Sequence, residues 1–177
     1  MALPIDDGDM MDAEPIVVSD NMGDMMDEGD AKQTTAKAVY VALADSYTTQ
    51  FRAHGYHWNV KGPDFTEMHQ FFGMVYEDID GATDDYAEII RRLGFDSPDK
   101  LSQIVDATNI DDVDVSSDPL EMIKALYDAN DTCINSILTA YAAASAADEQ
   151  GICNFLAGRD DMHKKWRWQM NAMMGNN

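Results

Sequence analysis

Residues 57–94 read HWNVKGPDFTEMHQFFGMVYEDIDGATDDYAEIIRRLG. This stretch decides the fold because it contains the end of one helix and the whole of the next. Gly62-Pro63 stops a helix, and Asp64 can open another, with Glu67 three residues on as its capping-box partner. Phe71, Phe72, Val75, Tyr76, Ile79, Ile89, Ile90 and Leu93 then recur at helical spacing, until Gly94 supplies a natural C′ residue. A helix of close to thirty residues is longer than the globular average. Gly73 and Gly81 inside it each cost about 1 kcal/mol relative to alanine, so close packing must favour them.

Upstream, the text is helical from Thr34, with Val39, Leu43, Ser46, Tyr47 and Gln50 on one spacing, and it runs to His57. Downstream, Ser97-Pro98 opens a short helical segment, Lys100 to about Val105, inside a long connection. Asp118-Pro119-Leu120-Glu121 is a strong start signal: a cap, a proline at the first helical position and an acid near the positive helix end. That helix runs to about Ser145 through Leu120, Ile123, Leu126, Tyr127, Ile134, Ile137, Leu138 and Tyr141. A last helix spans about Asp148 to Met173. No stretch alternates like a strand. Four long helices with a crossover between the second and third predict an all-α, ferritin-like four-helix bundle over residues 33–177, with a short extra helix in that connection.

Residues 1–32 hold ten acids against the single base Lys32. No period persists there, and such a segment cannot bury enough apolar surface to offset its ordering entropy. It reads as a disordered acidic tail. The repeat GDMMD, at 8–12 and 23–27, leaves a docking peptide for an unknown partner as the sharper alternative. The whole chain carries 33 acids against 12 bases, a net charge of −21. Such a surface repels phosphates and anionic lipid and attracts cations. No apolar run approaches the roughly 20 residues of a membrane span, and the N-terminus lacks the basic-then-apolar order of a secretory signal. Cys133 and Cys153 fit free thiols in a reducing compartment, Cys133 as a buried small residue. A cytoplasmic location is expected.

Four metal-capable residues lie within this text: His57, His69, Asp84 and Glu88. Each alone reads as ordinary, a surface or core histidine or a solvated acid. Together they carry imidazole nitrogen and carboxylate oxygen, the donors of first-row metals such as iron, manganese and zinc. His57 and His69 lie on helices joined by a tight turn and can approach each other. Asp84 and Glu88 are four apart and share a helical face. Fifteen residues of continuous helix separate His69 from Asp84, roughly 22 Å at about 1.5 Å per residue, against metal–ligand bonds of roughly 2 Å. If the four form one site, a second subunit must complete it. Two antiparallel copies of the second helix about a two-fold axis would do so, giving two identical sites per dimer. His54 reads as a structural or surface residue, and His163, in the charged part of the last helix, is not read as a ligand.

HWNVKGPDF at 57–65 resembles the signature of the Dps family (DNA-binding protein from starved cells), the mini-ferritins. The family's two histidines, twelve apart, and its Asp and Glu, fifteen and nineteen further on, fall on His57, His69, Asp84 and Glu88 without a gap. DYAEIIRRLG at 85–94 and HKKWRW at 163–168 are similar to further family segments. The resemblance covers about residues 35–172. It implies a twelve-subunit cage built from two-fold dimers, with a ferroxidase site between subunits. One subunit gives the histidines and its neighbour the carboxylates. Fe(II) would be oxidised by hydrogen peroxide or dioxygen and stored inside as ferric oxide, protecting against oxidative damage. Zinc or manganese are alternative occupants, and Trp58, beside a ligand position, reads either as an interceptor of stray oxidising equivalents or as a packing aromatic. Three departures stand out. Where the family carries a further acidic ligand, four residues after the second histidine, this chain has Gly73; Glu77 or Asp80 are the nearest substitutes. Asn154 stands near where many members line an iron-admitting pore with an acid. The extension is acidic where DNA-binding members carry lysines, which speaks against direct DNA binding, since affinity comes mainly from phosphate neutralisation. Gly73 also raises an alternative: a structural or binding cage with an impaired oxidase site, docked to a partner assembly by its acidic tail.

Overall fold

A computed structural model describes residues 28–114 and 117–176. Most of the acidic stretch, and with it the GDMMD repeat, lies outside the described residues. Five helices follow in order: α1 (Glu28–Asn59), α2 (Phe65–Arg92), α3 (Leu101–Ala107), α4 (Pro119–Ala146) and α5 (Gln150–Met173). The fold is the all-α four-helix bundle that the patterning predicts, with α3 as the short helix in the crossover. α1 packs against α2, α3 and α4, and α4 against α5. The Arg159–Asp78 ion pair and the Tyr86–Phe155 ring contact tie α5 to α2.

The helix ends show which local signals act. Asp118 caps α4 as its sequence indicates, its Oδ1 accepting from the backbone N–H groups of Leu120 at 2.9 Å and Glu121 at 3.2 Å. Gly62 and Gly94 adopt φ values of 118° and 93°, which side chains disfavour. The expected Asp64–Glu67 capping box does not form. Asp64 sits at φ −94°, ψ 16° and makes no side-chain cap bond, because a cap needs the extended region that Asp118 occupies. α1 begins at Glu28, six residues before Thr34. The Lys32 ammonium reaches Glu28 one turn back at 2.7 Å, and Glu28 and Asp30 complement the positive helix end.

The core falls into two apolar halves. One gathers Val39, Leu43, Tyr86, Ile90, Ile137 and Leu156, and the other Phe71, Phe72, Val75, Ile79, Ile123, Leu126, Trp166 and Met170. Between them along the helices runs a buried polar layer: Asp45, Ser46 and Thr49 from α1, Asn130 and Ser136 from α4, and His163 from α5. Asp45 accepts from the Thr108 hydroxyl at 2.7 Å, the Asn109 backbone at 2.6 Å and the Asn109 amide at 3.1 Å, and from Ser136. One buried carboxylate thus pins the crossover to both α1 and α4, with every contact donating to it. Leu120, Leu138 and Tyr141, apolar residues on the helical spacing of α4, are 54%, 42% and 40% exposed. No helix among the described residues is long and apolar enough to cross a membrane.

Candidate metal centre

His57 lies in the last turn of α1 and His69 in the first turns of α2. The turn at Gly62 brings the two helix ends side by side. Each ring donates to the other residue's backbone: His57 Nδ1 to the His69 carbonyl at 2.8 Å, and His69 Nδ1 to the His57 carbonyl at 2.7 Å. A carbonyl oxygen can only accept, so both Nδ1 atoms carry a proton, and in the neutral imidazole the lone pair lies on Nε2. Such orientation by a hydrogen bond on the far nitrogen is how metal-binding imidazoles are fixed. The rings stack at 3.6 Å with 21° between their planes. A single ion midway would sit about half that distance out of each plane, a poor fit to lone pairs that lie in the plane and bonds of about 2 Å. The pair therefore suits two neighbouring ions, one per imidazole.

Gly73 faces this pair. A Cβ built there would lie 3.4 Å from His57 Nδ1 and 3.5 Å from its Cε1, at the edge of ordinary contact. The histidine packing therefore leaves room for a Cβ at Gly73, and nothing in the same chain lies within 4 Å of a Cβ at Gly81. Around the pair the rings continue. Phe65 stacks on His69 at 5.0 Å, Tyr76 stands edge-on to His57 at 5.2 Å, and His54 stacks on Tyr76 at 4.0 Å. Trp58 packs on His54 at 4.1 Å and is 60% exposed. Glu77 meets the Tyr76 hydroxyl at 3.4 Å, and Asp80 and Asn154 are exposed.

Asp84 and Glu88 are exposed on one face of α2 and have no hydrogen-bond or ion-pair partner among the described residues. Among those residues no three His, Cys, Asp or Glu side chains of one copy gather to hold a metal. The structure brings the two histidines together and leaves the two carboxylates apart from them.

His163 is a histidine of the opposite kind. It is fully buried in the polar layer, with Nδ1 2.8 Å from Asn130 Oδ1, and with Cys133 Sγ at 4.0 Å and an Arg159 nitrogen at 3.5 Å from Nε2. Burial, helped by the Arg159 charge, pushes its pKa down to about 3. Burial likewise pushes the Cys133 thiol up to about 12, so it carries no thiolate at neutral pH. The sequence does hold a signal for this: His163 falls on the stripe of Leu156, Trp166 and Met170, all buried.

The Ferritin-like domain family matches residues 36–176 of the chain. The chain belongs to the ferritin-like family. A DNA protection during starvation protein of Brevibacillus brevis is 23% identical over 143 residues, covering 81% of this chain and 96% of that one. The fold superposes on a Dps protein of Vibrio cholerae O1 with a TM-score of 0.78 at 24% identity, over 82% of this chain and 92% of the other. That protein is described as a ferritin-like diiron-carboxylate protein. Dps of Thermosynechococcus elongatus gives a TM-score of 0.79 at 16% identity, over 83% and 94%. Iron oxidation and storage are typical of the Dps family.

Proposed function

We propose that this chain is a mini-ferritin subunit that oxidises Fe(II) where His57 and His69 of one copy meet Asp84 and Glu88 of a neighbour. The observation that carries the reading is the reciprocal lock of His57 and His69. Two imidazoles fix each other's tautomer and leave both Nε2 lone pairs free, an arrangement that packing alone does not require. The two unpartnered carboxylates on α2 supply hard oxygen donors of the kind Fe(III) favours. Two Fe(II) ions each give one electron to hydrogen peroxide, which takes up two protons and leaves as two waters. Dioxygen is the alternative oxidant. The Fe(III) formed hydrolyses and is stored as ferric oxide inside a twelve-subunit cage, in the cytoplasm. Removing Fe(II) and peroxide together suppresses hydroxyl radical. The net charge of −21 disfavours direct binding to DNA phosphates. Zinc or manganese would compete for the same donors.

A second reading rests on Gly73, which contributes no carboxylate beside His57: a structural or binding cage, docked to a partner assembly by the acidic N-terminal stretch. Anaerobic Fe(II) titration followed by peroxide separates the two. The oxidase reading expects saturable oxidation that disappears in the His57→Ala, His69→Ala double variant. Oxidation that is absent, or unchanged in that variant, refutes it and leaves the cage reading.

A further inference from the structure

Between the first half of α1 and the end of α2 lies an open groove of about 400 Å³. Ala36, Tyr40 and Val41 of α1, Ile90 of α2 and Phe95 beyond it line its apolar wall. Ala36 and Ile90 are its buried floor, continuous with the core half around Val39 and Leu43. Tyr40, Val41 and Phe95 are only half-buried. Apolar side chains gathered at one concave place make a binding surface, unlike the same residues scattered singly. Two charges stand at the rim. Asp96 is held by Arg91, whereas Lys37 is exposed and has no acid partner among the described residues. The groove therefore suits an apolar segment flanked by acids.

The chain carries such a segment close by, outside the described residues. It reads Glu14-Pro15-Ile16-Val17-Val18-Ser19-Asp20. Ile16, Val17 and Val18 are the only three adjacent β-branched apolar residues before α1, and an acid lies two residues to either side of them. The connection back to the groove is long enough. α1 starts at Glu28, and residues 36–41 lie about 12–20 Å along it at about 1.5 Å per residue. The nine residues 19–27 span up to about 30 Å when extended, at about 3.3 Å each. Met25 and Met26, the nearer apolar pair, have at most about 10 Å of chain and fall short.

We propose that residues 16–18 dock into this groove of their own chain, running antiparallel to α1, with Lys37 meeting Glu14 or Asp20. The acidic stretch is then a strap along α1 with an apolar clasp, and a partner that reads the same three residues must first displace it. The inference uses one copy alone and does not depend on the metal centre. A neighbouring copy is the competing occupant of the groove.

The test places a photoreactive benzoylphenylalanine at position 19 of the assembled protein, leaving residues 16–18 intact. Cages are assembled from mixed ¹⁵N-labelled and unlabelled chains, so the mass of each linked peptide separates links within one chain from links between copies. Links within one chain to residues 33–41 and 90–96 are expected, and Val17→Asp should abolish them. Elastase, which cuts beside small aliphatic residues, should cut at 16–18 about tenfold faster in Val41→Asp than in the parent, because cutting follows the undocked fraction. Lys37→Glu serves if Val41→Asp does not assemble, and should also accelerate cutting. Links between copies, links to other surfaces or no links at all would overturn the proposal. So would a parent segment that elastase cuts as fast as in the groove variant.

Discussion

The His57–His69 pair and His163 are built from the same side chain and are put to opposite uses by their surroundings. His163 sits between the two apolar halves of the bundle, bonded to Asn130 and neutral, its pKa pushed down to about 3. Burial therefore keeps it uncharged at neutral pH. His57 and His69 lie at the bundle's end, half-buried, each with one nitrogen tied to a carbonyl and the other free. What separates an inert histidine from a candidate ligand here is burial together with the number of nitrogens left without a partner. The charged text around His163 and the turn beside His57 do not reveal that difference by themselves.

The contrast can be broken at either end. Replacing His57 and His69 together by alanine has the largest expected effect on activity. Peroxide-dependent Fe(II) oxidation should fall by more than the roughly hundredfold that loss of an orienting neighbour costs, with thermal stability little changed. His163→Ala should do the reverse, destabilising the fold by about 3 kcal/mol through a cavity and an orphaned Asn130 while Fe(II) oxidation by the folded protein persists. Chemical denaturation paired with the oxidation assay reads both.

Protonation gives a gentler probe. The folded-state pKa of His163 is depressed, so the unfolded chain binds its proton first as pH falls. The stability from the neutral ring is complete above about pH 6.5 and is lost below it. The slope this residue contributes should approach about 1.4 kcal/mol per pH unit between pH 6 and 4, and should vanish in His163→Gln. A slope retained in that variant would assign the acid sensitivity to other groups. The smallest effect is expected at Gly73. A Cβ there meets the His57 ring at 3.4–3.5 Å, the edge of ordinary contact, so at most the helix gain of about 1 kcal/mol is realised. Gly73→Ala should leave the melting temperature within a few degrees of the parent; a loss of Fe(II) oxidation alongside it would show that the ring has no room to give.

Much of this was legible in the sequence. Asp118-Pro119 announces α4, Gly62 and Gly94 mark their turns, and the apolar spacing of 71–93 gives α2. The four-helix order with a helical crossover follows. The start of α1 was missed because acids at 28–30 look like tail until their favourable place at a helix N-terminus is considered. The Asp64 cap failed because its backbone conformation is set by the turn at Gly62. Leu120, Leu138 and Tyr141 obey the period yet stand exposed: periodicity identifies an apolar face but not what covers it. At the site, residue types and spacing pointed to His57 and His69. The reciprocal Nδ1 bonds and the stacking of His54 on Tyr76 depend on how two helix ends meet, which no local signal encodes.

The central claim is that each centre takes its histidines from one copy and its carboxylates from another. Coexpression of two inactive chains tests it most directly, one with His57→Ala and His69→Ala, the other with Asp84→Asn and Glu88→Gln. In a mixed two-fold dimer one site holds all the substitutions and the other holds none. Random pairing at equal amounts should therefore restore about a quarter of the parent's Fe(II) oxidation, because half of the dimers are mixed and half of their sites are intact. Mixed cages that remain as inactive as either variant alone would contradict the account.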